Sequence, residues 1–568
     1  MKIVRWTART ITSDWPNFRC PLFRLDFHLL KRSRRQFHNK NDIRLVNDYE
    51  KLGKRETFSH VLKKFRLQDN LTTFDVQKQE SGSGDETLEP SLSGRNGPEP
   101  GIYFNRRFQR WESTVDRRCV SANFNTDKDE QALLVRKIFA PLWEIPYEVQ
   151  LSWKRDQFVM AIELLSNKLQ RETIQPILNQ RGVICDLEPV RPSPVTIAYR
   201  NKAEFTPGAR AIDGSKRRVG YNINIGNYKY LKKALVPVDL ERDQMVCVNR
   251  TLSHYAKVYE EYLQTSQLPI CPQIYKNNKD PRYTVKFGHY RELLTRINQS
   301  GDVMVSIVFH PQELNATQIN EEKEKIQNFF VSNCIQKNLP LHSLQFQACP
   351  YWRCNTATYP FYLLHGEKYL YETLRGKTFR ISPRAFFQVN TAAAEVLLNA
   401  IEEVCDFDKK KTTLLDVCCG TGVYSICFAD KVKQSVGIDI ERGAIEDAQS
   451  NAERNNVTNV TFIRNNVTRA IPEVLDSVSS EENLVAIVNP SRWGLDGSVV
   501  MALRKFHKLK KLVYISCNPF EHSLYNFYNL CRMPTEEYQS KPFSFKRLIP
   551  VDLFPHCGHC ELVILLER

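Results

Sequence analysis

Between Leu414 and Asp439 the chain reads LLDVCCGTGVYSICFADKVKQSVGID, and this stretch constrains the fold more than any other. Leu414, Leu415 and Val417 make an apolar strand with Asp416 set among them. Cys419, Gly420, Thr421 and Gly422 then turn the chain with no bulky side chain at the sharpest points, so a ligand can approach the backbone closely. Val423 to Ala429 read as a short helix and Ser435 to Ile440 as the next strand, with Asp439 at its end, where a carboxylate can accept both hydroxyls of a ribose. A glycine turn alone is equally the reading of an ordinary strand-to-helix corner; the acid at the end of the next strand favours an adenosine-binding half of a doubly wound sheet. A dinucleotide would require three glycines at wider spacing. One short G-x-G with the upstream Asp416 fits S-adenosylmethionine, which has no pyrophosphate to cradle.

The segments around this unit supply polar groups at strand and helix ends. SPRAFFQVNTAAAEVLLNAIEEV begins at Ser382, and Asn390 stands where a helix N-cap belongs, with Val396, Leu397, Ile401 and Val404 on one side of the helix it opens. Gln388 lies just outside that cap, free to present an amide. Leu484 to Val488 form a buried strand that runs out into Asn489, Pro490, Ser491 and Arg492, and KLVYISCNP forms another that ends at Ser516 and Cys517. Ligands of doubly wound sheets bind at the carboxyl ends of strands, so Asn489 and Cys517 are expected in the crevice that holds Gly420, Gly422 and Asp439. A cysteine there is either a buried inert thiol or a nucleophile; its place at a strand mouth, just before Asn518-Pro519, favours the nucleophile. His559 and Glu561 open the last apolar strand, and Glu561 alone could equally be a strand-edge surface carboxylate.

The chain of 568 residues is long enough for two or three domains, and its formal charge of +16 points to a polyanionic partner, with nucleic acid leading. No apolar run of about 18 residues appears, so no membrane span is expected. Residues 1–40 are rich in Arg and Lys with Asp14 and Asp26 as their only acids, the pattern of a mitochondrial transit segment, the alternative being a basic tail that touches RNA in a cytoplasmic protein. Residues 41–101 are charged and end in a Ser, Gly and Pro-rich linker with too few apolar groups to fold, which puts the start of the folded protein near Ile102. In the helix after PLWEIPYEVQ, Leu151, Phe158 and Leu164 are expected on the apolar face. From Cys185 to about Arg380 alternating segments around Tyr199, Tyr221, Ile307 and Leu374 imply a mixed α+β domain, residues 102–380, with an antiparallel sheet. Arg200, Lys202, Arg217 and Arg218 among Tyr199, Phe205 and Tyr221 suit RNA, held by phosphate contacts and base stacking; a solvated sheet face protected by charges is the alternative. The 16 cysteines, spread over this length, read as thiols of a reducing compartment, and neither Cys557/Cys560 nor Cys349/Cys354 has a second pair at zinc spacing, so no metal is expected.

SPRAFFQVN through Gln388, Asp416-x-x-Cys-Gly-x-Gly422, Asn489-Pro-x-Arg492, Ile515-Ser-Cys517-Asn-Pro519 and Phe554-Pro-His-x-x-His-x-Glu561, in that order with IPYEVQL and YRNKAEFT before them, resemble the class I RNA (uracil-5-)-methyltransferase family, and the transit-like start is most similar to its animal mitochondrial branch. The resemblance implies a Rossmann-like S-adenosylmethionine-dependent methyltransferase domain over residues 381–568 behind the RNA-binding domain, acting as a monomer that makes 5-methyluridine. It implies Cys517 as nucleophile, Glu561 as general base, and Gln388, Asp439 and Asn489 lining the cofactor and base site. A T-loop uridine of tRNA is the substrate it implies first, with a mitochondrial small-subunit rRNA uridine as the alternative. Where the family has Asp-Pro-Pro-Arg this chain has Asn489-Pro-Ser-Arg492, which loses a charge, although an amide can accept from uracil N3–H and donate to O4. The residue types answer the chemistry. Uracil C5 becomes nucleophilic once a thiolate adds to C6, and the C5 proton must then leave to a carboxylate before the thiolate is eliminated. A thiol near its ordinary pKa of about 8.5 would gain from depression, for which Arg492 is the expected source. Methylation of cytosine, or RNA binding without catalysis, are the competing functions, the second supported only by Asn489.

Overall fold

The computed structural model describes residues 102–105, 110–113, 128–172, 183–208, 216–225, 232–242, 245–271, 288–351, 358–477, 483–517, 519, 522–536 and 539–568. The transit segment and linker expected before Ile102 lie outside these residues. Two compact units divide the chain, Met1–Asn123 and Phe124–Arg568. In the first, β1 (Ile102–Asn105) and β2 (Arg110–Ser113) pair as an antiparallel hairpin.

The second unit opens with helices α1 (Lys128–Phe139) and α2 (Tyr147–Glu172). On α2 the expected apolar face is correct only at Phe158: the buried stripe is Phe158, Ile162, Leu165 and Leu169, while Leu151 and Leu164 are half-buried. Steps of four, three and four keep a stripe on one side of a straight helix; the step of six from Phe158 to Leu164 leaves it by about a third of a turn, while Leu151, a step of seven before Phe158, keeps to the side but sits in the first turns of the helix, where it is only half-buried.

Strands β3 (Lys202–Gly208), β4 (Arg218–Ile225), β5 (Lys232–Pro237), β6 (Tyr290–Ile297), β7 (Val303–Phe309), β8 (Ser343–Ala348) and β9 (Tyr362–Gly366) form a sheet in the order β5-β4-β3-β6-β7-β8-β9. Every pairing in it is antiparallel except β7 with β8. The parallel pair requires a crossover, which helix α4 (Ala316–Gln336) supplies, while α3 (Arg250–Thr265) covers β3, β4 and β6. Asn249 caps α3 by accepting from Thr251 N, and Asn315 and Gln318 close a reciprocal capping box on α4. A separate hairpin follows, β10 (Leu370–Leu374) and β11 (Lys377–Ile381), turned by Arg375 and Gly376 at φ of 51° and 70°. Two positive φ values in a two-residue loop match the twist of the flanking strands.

The remainder alternates helix and strand: α5 (Thr391–Cys405), β12 (Thr412–Val417), α6 (Val423–Cys427), β13 (Gln434–Asp439), α7 (Arg442–Arg454), β14 (Val460–Arg464), α8 (Val467–Ser477), β15 (Asn483–Val488), α9 (Gly497–Lys505), β16 (Lys511–Ser516), α10 (His522–Cys531), β17 (Ser544–Val551) and β18 (Glu561–Glu567). The sheet order is β14-β13-β12-β15-β16-β18-β17, the first five strands parallel and β18 antiparallel to both neighbours. This is the expected Rossmann-like α/β arrangement. Asn390 caps α5 as expected, accepting from Ala393 N at 3.1 Å, and Leu397, Ile401 and Val404 from that helix join a core with Leu414, Val485, Val513 and Val563 from four strands. Each such side chain, fully buried, contributes on the order of 2 kcal/mol.

Among the described residues twelve cysteines stand outside any disulfide, as the reducing-compartment reading expects; Cys349 departs from it, being disulfide-bonded. Cys557 and Cys560 point to different partners, Phe139 O and Val551 O, and no group of three or more His, Cys, Asp or Glu among the described residues could hold a metal ion. No helix among the described residues is long and apolar enough to cross a membrane.

Candidate active site

Strands β12 and β15 are neighbours, yet the chain leaves β12 toward β13 on one side and reaches β15 on the other, which makes this the point where the strand order reverses. A crevice opens at the carboxyl ends of such a pair because the following loops part in opposite directions. Val417 and Val488 lie side by side, so the glycine turn and Asn489 leave the sheet together. Gln388, Cys418, Gly420, Thr421, Tyr424 and Asn489 line a cavity that, with the open solvent at its mouth included, spans about 500 Å3, with Phe386 and Phe387 on its apolar wall.

The residues around the cavity fit an adenosine-type ligand. Gly420 has φ of 53°, and a Cβ added there would meet nothing within 4 Å, so its open side faces free space. Gly422 is required for the opposite reason: at φ of 81°, a Cβ would stand 2.7 Å from the Phe462 ring and 3.1 Å from Ala448. Asp439, half-buried at the end of β13, accepts from Gly420 N at 2.9 Å through Oδ2 and from Glu441 N at 2.9 Å through Oδ1. Each carboxylate oxygen keeps a second lone pair, so the fixed carboxylate can still accept from a ribose. Thr421 Oγ1, on the cavity lining, is buried without a hydrogen-bond partner, which leaves polar capacity for a ligand. Asp416 does not line the cavity. Its Oδ2 accepts from Ser425 N and Oγ at 3.1 and 2.9 Å, fixing the start of α6, and burial pushes its carboxyl up to about 7.

The second group of polar residues lies at the mouths of β16 and β18. Ser516 pairs with Leu562, so the next positions outward on these two strands are Cys517 and Glu561. Glu561 is 7 % exposed, and burial pushes its carboxyl up to about 7 against the opposing charge of Arg492. The half-buried Cys517 thiol is pushed up to about 11, first by burial and then by Glu561, while Arg492 opposes both by charge and by hydrogen bonding. The expected depression by Arg492 is thus outweighed: an exposed guanidinium cannot offset the lost hydration of the sulfur. Tyr424, which sequence reasoning missed, joins the two groups. Its hydroxyl accepts from Asn489 Nδ2 at 2.9 Å, and burial followed by the charge of Glu561 raises its pKa. The available signal was an aromatic hydroxyl two residues past the glycine turn. His559 is exposed and meets Phe554 edge-on at 6.4 Å between ring centroids.

The basic and aromatic residues of the central sheet are disposed otherwise than a stacking platform requires. Tyr199, Phe205 and Tyr221 are 7 %, 1 % and 6 % exposed, so they belong to the core and cannot receive bases. Arg217 donates to the carbonyls of Leu263, Ser266 and Leu268 at the end of α3, and Arg218 pairs with Glu260 at 3.0 Å. Lys202 pairs with Glu204 at 2.7 Å on the accessible face, and the backbone of Arg200 bridges to Val248.

Residues 363–568 match the family described as tRNA (Uracil-5-)-methyltransferase. The chain is 35% identical over 442 residues to the mouse protein named tRNA (uracil-5-)-methyltransferase homolog B, covering 76% of this chain and 85% of that one. It is 34% identical over 451 residues to mouse tRNA (uracil-5-)-methyltransferase homolog A, covering 78% and 70%. Among solved structures, that of Pyrococcus abyssi tRNA (uracil-54, C5)-methyltransferase with S-adenosyl-L-homocysteine is 22% identical and covers 75% of this chain and 84% of that chain, with a TM-score of 0.48.

Proposed function

The chain belongs to the tRNA (uracil-5-)-methyltransferase family, and from that premise we propose that its cavity binds S-adenosylmethionine and that Cys517 and Glu561 direct the methyl group to C5 of a uridine in tRNA. The observation that carries this reading is the register of β16 and β18, which sets a thiol and a carboxyl on adjacent strand ends beside the cavity at β12 and β15.

When bound, S-adenosylmethionine supplies an electrophilic methyl group, which an activated C5 can accept. Asp439 and the Gly420 turn hold the nucleoside part, and Gln388 and Asn489 present amides to the cofactor and the base. The Asn489 amide, fixed by Tyr424, has a further N–H and a carbonyl for a pyrimidine edge. The Cys517 thiolate adds to C6, and its electron pair raises density at C5. After methyl transfer Glu561 takes the C5 proton, the C5–C6 double bond re-forms, and Cys517 departs as thiolate. With the thiol at about 11, the thiolate fraction at neutral pH is on the order of one in ten thousand, so the addition step depends on Arg492 and on pH. Arg200, Lys202 and Arg492 are assigned to RNA phosphates, and the basic, acid-poor residues 1–40 support a mitochondrial destination and a mitochondrial tRNA.

The test separates the two catalytic roles. Cys517→Ala is expected to bind RNA and cofactor yet form no covalent species, whereas Glu561→Gln adds and transfers the methyl group, then stalls with RNA attached to Cys517. A denaturing gel with labelled RNA should show a shifted band for Glu561→Gln that disappears in the double variant. Without a band or slowed release, Glu561 is a structural strand-edge residue. A fluorescent fusion of residues 1–40 that stays cytosolic would remove the mitochondrial assignment.

A further inference from the structure

Glu561 is the first residue of β18 and pairs across to Val551, the last of β17, so its carboxyl is aimed by the intervening loop of residues 552–560. The loop has little internal structure to hold it. Asp552 Oδ1 accepts from Phe554 N at 3.0 Å and Cys557 N donates to Phe554 O, while His556 takes a left-handed φ of 66° that its side chain disfavours. Arg191 O accepts from Asp552 N, Asn390 Nδ2 donates to Leu553 O and Tyr199 OH to Pro555 O, but the densest hold comes from about 400 residues earlier in the chain, on the first turns of α2 and the segment before it.

Lys154 and Asp552 form an ion pair of 2.7 Å, with side chains 1 % and 0 % exposed. Lys154 Nζ also donates to Phe554 O at 2.9 Å, and Tyr147 OH donates to Asp552 Oδ2 at 3.0 Å, so each charge is both paired and hydrogen-bonded. Gln150, fully buried, ties His556 to the segment before α2: its Oε1 accepts from His556 N at 2.8 Å, and its Nε2, 3.1 Å from His556 Nδ1, donates to Leu142 O and Ile145 O at 3.0 and 2.8 Å. Leu142 N completes the hold by donating to His556 O at 2.9 Å. These contacts fix the strained residue and the corner before it through backbone and side chain together. An ion pair this deeply buried is poor evidence for stability as such, because the desolvation of both charges offsets their attraction. It does set geometry, since it tolerates one arrangement only.

We propose that Tyr147, Gln150 and Lys154 of α2 are positioning residues for the general base, setting the carboxyl of Glu561 against the mouth of β16 by clamping the loop between β17 and β18. The proposal rests on Glu561 being the group that removes the C5 proton. Its consequence is selective. Cofactor binding depends on β12, β13 and β15, and adduct formation on β16, none of which carries the clamp; proton removal and release of Cys517 are the steps that need Glu561 in place.

Two independent variants test it. Gln150→Leu removes the grip on His556 together with the bonds to Leu142 O and Ile145 O, and Lys154→Met combined with Asp552→Asn removes the charge pair without leaving a buried carboxylate unpaired, while Asn keeps an acceptor for Phe554 N. Both are expected to unfold as cooperatively as the parent and to bind S-adenosylmethionine unchanged by calorimetry. Both should form the covalent RNA adduct, but release it about ten- to a hundredfold more slowly, the size expected for a reacting group displaced by a fraction of an ångström to an ångström. The pH midpoint of release should also move below about 7, since a loosened loop rehydrates Glu561, whose other charged or titratable neighbours are Arg492, Cys517, Tyr424 and Cys560. Release at the parent rate, or a loss of activity that tracks lost folded protein with no adduct build-up, overturns the proposal. Glu561→Gln is run alongside. If it traps adduct and the α2 variants do not, the clamp alone is refuted; if it traps none, the assignment of Glu561 fails and the clamp falls with it.

Discussion

The two seven-stranded sheets of the Phe124–Arg568 unit put polar residues to different uses. In β12–β18 they stand at strand ends: Asp439 closes β13, Asn489 follows β15, Cys517 follows β16 and Glu561 opens β18. In β3–β9 they stand within strands and neutralise one another, a nearby helix or the turn after β11, as Lys202 does with Glu204, Arg218 with Glu260 and Glu292 with Arg384. Topology accounts for the difference. Parallel strands joined by crossover helices bring every strand end to one edge of the sheet, where polar groups from distant parts of the chain converge. Antiparallel hairpins send successive loops to opposite edges, so no edge collects a constellation and the charges spread over a face. The first sheet concentrates chemistry; the second offers area.

The largest effect that would break this comparison is at the turns. Gly422 and Gly376 both have positive φ, but a Cβ on Gly422 would clash with Phe462 at 2.7 Å, whereas one on Gly376 in the β10–β11 hairpin would meet nothing within 4 Å. Gly376→Ala should therefore cost only backbone strain, about 1 kcal/mol, and Gly422→Ala strain plus a forced shift of Phe462 and α7, about 2 to 4 kcal/mol. Thermal unfolding measures both. Equal costs would mean that the cofactor turn is no more tightly built than a surface hairpin.

Next in size is Asp439→Ala, which removes a carboxylate held at the sheet edge by Gly420 N and Glu441 N. The loss should be on the order of 1 to 3 kcal/mol, about ten- to a hundredfold in S-adenosylmethionine affinity, with RNA affinity nearly unchanged. Calorimetry that finds cofactor binding intact would take Asp439 out of the site.

Arg492 ties two titrations together, and its removal sharpens the claim that the edge works as one unit. The guanidinium lowers the pKa of both Cys517 and Glu561, which burial has raised to about 11 and about 7. Arg492→Gln should therefore raise both. In the mechanism proposed above, Glu561 must be ionised to accept a proton and Cys517 ionised to add, so both adduct formation and adduct release should move to higher pH, and activity at a fixed pH near 7 should fall. Single-turnover rates across pH read the two shifts separately. A shift in one without the other would show that Arg492 serves only one of the two groups.

What was legible in the sequence follows the same division. The glycine turn, the acid ending β13, the Asn390 cap and the strands that stop at Val488 and Ser516 could be read because each is a local pattern whose cause lies within a few residues. The convergence of Asn489 and Cys517 on one edge followed from the fold class. Tyr424 was missed because its role depends on Asn489 and Glu561, which are distant in sequence, and the clamp from Gln150 and Lys154 could not be read because contacts across about 400 residues leave no periodicity. The Cys517 titration was misjudged in sign because a sequence shows a neighbouring arginine but not the burial that outweighs it. In the central sheet alternation located the strands, while the choice between a stacking face and a core for Tyr199, Phe205 and Tyr221 depended on what covers them, Phe139 of α1 against Tyr221 and Pro555 and Cys557 against Tyr199, and both lie outside the local pattern.

The smallest expected effect bears on the second sheet as an RNA surface. Lys202 is held by Glu204 at 2.7 Å, with side chains 22 % and 62 % exposed, so the pair must open before the ammonium can neutralise a phosphate. Opening an exposed pair of this kind costs little, on the order of 0.5 kcal/mol. Lys202→Ala should then weaken RNA binding only about two- to threefold and lower the slope of log affinity against log salt by about one counterion. Glu204→Gln should act in the opposite direction, freeing Lys202 and strengthening binding by a similar factor, and the two effects should fail to add in the double variant because they share one contact. Fluorescence anisotropy with labelled tRNA at several salt concentrations measures all four proteins. If Lys202→Ala leaves both affinity and salt slope unchanged, this face of the sheet is solvated structure, and the RNA is held from the edge of the other sheet, where Arg492 stands exposed beside the cavity.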